Sequence, residues 1–93
     1  MTDLHTLLIT NCPNLVKINS FAFRGLKSLK MLIITHNKDL KQIEPHAFGT
    51  LKNVDYLSLR MNSLTEISRY IFSHSQLYKK IDFLGNPIKV RTI

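Results

Sequence analysis

The chain has 93 residues, and its 13 Lys and Arg against 6 Asp and Glu give a formal charge of +7 at pH 7. That length allows one domain, and no run of about 18 apolar residues is present to cross a membrane. A single cysteine, Cys12, excludes an internal disulfide and therefore a stapled secreted mini-domain, while leaving open an extracellular parent of which the chain is a piece.

The opening, Met1-Thr2-Asp3-Leu4, lacks the basic and apolar regions of a secretory signal. From Leu4 onward a spelling recurs. Leu4, Leu7 and Ile9 return as Leu29, Leu32 and Ile34, then as Val54, Leu57 and Leu59, and in part as Ile81 and Phe83; the first two steps are 25 residues. A period in the 20–29 range with this internal spacing marks a solenoid of leucine-rich units. The units are 4–28, 29–53, 54–77 and a partial 78–93, within one domain spanning 1–93. About three units are needed for stability, because none buries its apolar face alone.

Each unit opens with apolar residues at alternate positions, the pattern of a short strand with one buried side. Stacking these strands in parallel gives a curved sheet on the concave side. The segments after Ile18, Ile43 and Ile67 lack a long helical period, and Asn19-Ser20 and Glu44-Pro45 are turn-like. Turns or short helical turns are therefore expected on the convex side, in an α/β class fold.

The ninth position of successive units holds Cys12, Asn37, Asn62 and Asn86. The chain leaves the strand there, and an Asn side chain both donates and accepts, so a column of them satisfies backbone groups that lack ladder partners. Cys12 fills the same slot as a small, weakly donating residue and is read as structural. Phe23, Phe48 and Phe72 recur at the same place and are expected to stack as a spine. The first two units carry one extra residue after the ninth position, in Cys12-Pro13-Asn14-Leu15 and Asn37-Lys38-Asp39-Leu40. This insertion bulges a loop beside the concave face, either as a ligand-contacting ridge or as tolerated loop variation.

These strand triplets, the Asn column and the Ile–Phe–Leu spacing together resemble the typical leucine-rich repeats of animal extracellular and cell-surface proteins. That group includes Toll-like receptors, Slit-type guidance proteins, neurotrophin-receptor ectodomains and glycoprotein-hormone receptors. The resemblance runs from Leu4 to about Ile88, and Asn37-Lys38-Asp39-Leu40 with Phe48-Gly49 is similar to units of the hormone receptors. Leu84-Gly85-Asn86-Pro87-Ile88-Lys89 resembles the approach to a cysteine-rich C-terminal cap, with Val90 where a cysteine commonly follows. The resemblance implies a cap-less fragment or a small protein with unusual ends, prone to self-association through an open sheet edge. It also implies an extracellular or cell-surface location; plain leucine-rich repeats work in the cytosol as well, so the compartment rests on the resemblance.

Proteins of this type bind macromolecules rather than catalyse, so the chain is expected to be a non-enzymatic protein-recognition module of a receptor or adhesion protein. The outward strand positions are Thr6, Leu8, Thr10, Met31, Ile33, Thr35, Tyr56, Ser58, Arg60, Lys80, Asp82 and Leu84. Nothing in the fold requires several of these to be apolar, and a cluster of exposed aliphatic and aromatic side chains is a contact patch. Leu8, Met31, Ile33, Tyr56, Ser58, Arg60, Lys80 and Asp82 are the candidate partner-binding residues, led by Tyr56 and Arg60, types enriched in binding hot spots. Alternatives are a spacer role within a larger protein, and charge-driven binding of an anionic polymer. The basic residues are scattered, although Lys27 and Lys52 share a repeat position, and no basic stripe with interleaved aromatics supports nucleic-acid binding.

Catalysis is disfavoured. Gly25, Gly49 and Gly85 are isolated, so no phosphate loop is present. Asp55 and Asp82 lack an obvious acid–base partner. His5, His36, His46 and His74 occupy different repeat positions or the convex segments, and no metal-ligand set converges, so neither metal nor cofactor is expected. No Asn-X-Ser/Thr glycosylation site occurs.

Overall fold

The computed structural model describes residues 3–67, Tyr70 and residues 81–88. Four strands form one parallel sheet: β1 (Thr6–Thr10), β3 (Met31–Thr35), β5 (Tyr56–Ser58) and β6 (Ile81–Asp82), in the spatial order β1-β3-β5-β6. Each strand lies beside the equivalent strand of the next unit. Leu7 faces Leu32, Leu32 faces Leu57 and Leu57 faces Ile81, so the sequence period is also the register of the sheet. The solenoid with a parallel sheet of short strands is thus present. Two shorter strands, β2 (Lys17–Ile18) and β4 (Gln42–Ile43), pair in parallel as a second ladder. The sequence reading assigned no structure to these residues and expected turns or short helical turns only in the segments that follow Ile18 and Ile43.

The strand pattern follows from side-chain alternation. Leu32 and Ile34 of β3 are fully buried, whereas Met31, Ile33 and Thr35 point to the other face. Leu29, Leu57, Leu59, Leu40 and Leu64 complete the buried interior, and the turns beyond the sheet close it with Phe23, Ala47, Phe48 and Leu51. Phe23 and Phe48 stack with ring centroids 5.5 Å apart and planes 15° from parallel. Two members of the expected spine therefore meet; Phe72 lies outside the described residues. On β1 the same inward positions, Leu7 and Ile9, are only partly buried, because β1 is the edge of the sheet and packs against a neighbour on one side.

The Asn column carries the backbone where each strand ends. Asn37 accepts from the Cys12 N–H at 2.9 Å and donates to the Ile9 carbonyl at 3.1 Å. Asn62 repeats the arrangement one unit on, accepting from the Asn37 N–H at 3.0 Å and donating to Ile34 at 2.8 Å and Leu59 at 2.9 Å. Asn86 donates to Leu59 at 2.6 Å and Phe83 at 2.9 Å, and accepts from the Leu64 N–H at 3.1 Å in the unit that lacks the extra loop residue. Cys12 occupies the first slot as a free, partly buried thiol whose own amide joins the column.

One feature of these corners was not expected. The residue before each column member adopts a left-handed conformation: Asn11 at φ 56°, His36 at 58°, Met61 at 59° and Gly85 at 83°. Glycine takes this conformation readily, asparagine and histidine are enriched in it, and Met61 is held there against intrinsic preference. At Gly85 a Cβ would also press on Met61, whose exposed side chain can swing aside but whose backbone nitrogen would lie 3.2 Å away.

Candidate functional site

The outward face of the large sheet is built in rows by the register. One row runs Thr6–Met31–Tyr56 and the next Leu8–Ile33–Ser58–Asp82. A third contains Thr10 and Thr35, and the chain continues it past the strand ends, where His36 N–H donates to Arg60 and Met61 N–H donates to Leu84. Residues 25 apart in sequence therefore become neighbours on one surface.

Exposure sorts the sequence candidates. Leu8 is 58% exposed, Met31 39% and Tyr56 38%, and these three share neighbouring strands as the apolar part of the face. Ile33 is only half-buried among them. Leu84 is 65% exposed beyond β6, on the far side of Arg60 and Asp82. Ser58 corrects the sequence reading: it occupies an outward row but is 2% exposed. Its side chain is short, and the larger Ile33 and Asp82 flank it in register, so its neighbours close over it. Its hydroxyl accepts from the Arg60 N–H at 3.4 Å. Lys80 lies outside the described residues.

Arg60 and Asp82 are also not independent contact groups. The Arg60 Nε donates to the Asp82 carboxylate at 2.5 Å across adjacent units. Nothing in the sequence signalled this ion pair; an arginine fixed as a cation does not serve Asp82 as an acid–base partner. The Asp82 carboxyl is held below its ordinary range, first by the Leu84 N–H that it accepts and then by Arg60. The pair forms a charged corner on an otherwise apolar and threonine-fringed face.

Where the strands end, the extra loop residues line a recess of about 440 Å³ together with the left-handed corners: Asn11, Pro13, His36, Lys38 and Met61 surround Cys12 there. The signal for it was the insertion after Cys12 and Asn37, which places Pro13 and Lys38 beside the face. His36 is exposed at this rim, His5 is exposed near the start of β1, and His46 stacks on Phe21 with centroids 5.8 Å apart on the convex side. His74 lies outside the described residues. Among the described residues no three His, Cys, Asp or Glu side chains come together as a metal-binding group. Among them, too, no helix is long and apolar enough to cross a membrane.

The geometry is that of a surface for contact: a rigid, shallow sheet with side chains displayed at fixed spacing. Repeats of this kind serve as protein-interaction modules and are typically non-catalytic. No curated protein matches the chain. A family model described as "Leucine rich repeat" matches it twice, over residues 2–64 and 32–88. Those matches cover nearly the whole sequence and coincide with the repeating strands, the Asn column and the parallel register, and the chain belongs to the leucine-rich repeat family.

Proposed function

We propose that this chain recognises a protein ligand through the outward face of its large sheet, as the binding part of a cell-surface receptor or adhesion protein. The observation that carries the reading is the group Leu8, Met31 and Tyr56, large apolar side chains left in solvent on the outward face of a sheet whose inward side chains pack into the core. Such a cluster loses water favourably only when a partner covers it. Arg60 and Asp82 at its margin supply a polar rim, which favours orientation and partner choice over raw affinity. The cell-surface assignment rests on the resemblance of the repeats to those of extracellular proteins.

The test compares the parent chain with Leu8→Asp and Tyr56→Ala, each confirmed as folded by circular dichroism. Ile33 is a poorer site for substitution, because a charge at a half-buried position risks the fold. Immobilised protein is offered extracellular and cytosolic fractions. A protein retained from the extracellular fraction by the parent and lost by both variants supports the reading, since removal of a hot-spot side chain costs about 2 kcal/mol or more of binding. Retention that is indifferent to both substitutions refutes use of this face and leaves a spacer role, and a partner found only in the cytosolic fraction refutes the cell-surface assignment.

A further inference from the structure

On the other side of the strands, where the convex turns return to the sheet, residues of the first two units enclose an open recess of about 550 Å³. Lys27 and Lys52 stand at the same position of adjacent units, and Arg24 joins them in the lining. No carboxylate lines the recess, and none of the three cations forms a salt bridge among the described residues. The two loops are fastened together by the Asn53 amide, which donates to the Lys27 carbonyl at 3.0 Å. At Gly25, with φ at 92°, a Cβ would meet no neighbour within 4 Å, so the backbone there borders open space.

A second observation concerns Thr50, another lining residue. Its hydroxyl is buried without a hydrogen-bond partner, which no other buried side-chain polar atom among the described residues shows. A hydroxyl turns freely about its bond to carbon and donates to an acceptor that arrives beside it. Three cations and a hydroxyl donor, none with a salt-bridge or hydrogen-bonding side-chain partner among the described residues, are complementary to an oxyanion, for which arginine gives a fork of donors and lysines give point charges. The volume is far more than a bare tetrahedral ion fills and lies in the range of small-ligand sites, about 300–1,000 Å³. Among the described residues no aromatic ring lines the recess for stacking bases, and the cations surround one cavity instead of following a strand, which disfavours a nucleic acid.

We propose that this recess binds the sulfate or phosphate ester of a sugar-sized ligand, with Arg24, Lys27 and Lys52 holding the anion and the Thr50 hydroxyl donating to it. The site is separate from the sheet face and does not rest on the protein-recognition reading.

Titration calorimetry of the full chain with a heparin-derived disaccharide and with glucose 6-phosphate tests it. Binding of the first alone identifies a sulfated glycan as the source, binding of the second alone a free sugar phosphate, and binding of both a site that reads the anion itself. The paired substitution Lys27→Gln with Lys52→Gln should weaken binding about tenfold or more, and Thr50→Val about threefold, as expected for lost charge-assisted and neutral hydrogen bonds. The control pair Lys17→Gln with Lys41→Gln removes equal charge from β2 and from the residue before β4 and should leave affinity within about twofold. Circular dichroism establishes that every variant is folded. Equal loss in the two lysine pairs would reduce the effect to general attraction and overturn the proposal, as would failure of both esters to bind.

Discussion

Asn62 shows how much one side chain can carry. It is 6% exposed, accepts one buried N–H and donates to two carbonyls, linking the second and third units at their corners. Asn62→Ala removes the side-chain partner of the buried Asn37 N–H and of the Ile34 carbonyl. Each buried polar group left unmatched costs about 1–3 kcal/mol, so a loss of about 2–5 kcal/mol is expected in urea unfolding. Cys12→Ala should cost under about 1 kcal/mol, because the Cys12 contribution to the column is its backbone N–H and its thiol only weakly donates to Thr10. Comparable losses at both positions would show that the column acts by filling space.

Asp82 gives the residue scale its pH dependence. Its carboxyl in the folded chain ionises below the ordinary 3.8, held there first by the Leu84 N–H and next by Arg60. A depressed folded pKa contributes stability that is present above the unfolded value and lost as pH falls through the folded one. Stability should therefore decline below pH 3.8 through this group, and the Asp82→Asn chain should show a shallower acid decline. Titrating the carboxyl by NMR in Arg60→Ala separates the causes: the pKa should rise only part of the way, because the bond from Leu84 persists. A full return to the ordinary value would assign the whole shift to Arg60.

At the scale of elements, what the sequence discloses depends on whether a feature repeats. The strands, their register and the Asn column are legible because equivalent residues recur at a fixed step and parallel stacking turns that step into contact. Leu32 beside Leu57 needs no knowledge of the rest of the molecule. The β2–β4 ladder carried the same signal in Lys17-Ile18 and Gln42-Ile43, but two residues are too few to show a strand period. Ser58 was illegible for a different reason. Alternation tells which face a side chain takes, whereas its exposure depends on the sizes of Ile33 and Asp82 in the flanking strands. The left-handed corner at Met61 breaks local preference, and Asn11, His36 and Gly85 at the equivalent positions hint at it only once the repeat is aligned. Arg24, Lys27 and Lys52 look scattered along the chain until the turns bring two units side by side.

For the molecule as a whole, stacking makes stability a matter of neighbours. A unit in a solenoid gains from its own contacts and from each adjoining interface. Leu32 lies between β1 and β5 and is fully buried, whereas Leu7 on β1 has a neighbouring strand only on the β3 side and is partly buried. Leu32→Ala should therefore cost about 3–5 kcal/mol, the range for a buried leucine that leaves a cavity. Leu7→Ala should cost about 1.5 kcal/mol or less, because less apolar surface returns to water. The same asymmetry should appear in native hydrogen exchange: amides of β3 and β5 open only with the whole chain, and those of β1 open earlier in a local event. Leu32→Ala would then speed exchange across the sheet, while Leu7→Ala would speed it in β1 and leave β5 as it was. Uniform protection across all the strands, with both substitutions accelerating every amide equally, would instead identify the stack as one all-or-none unit, in which an edge strand is as firmly held as a central one.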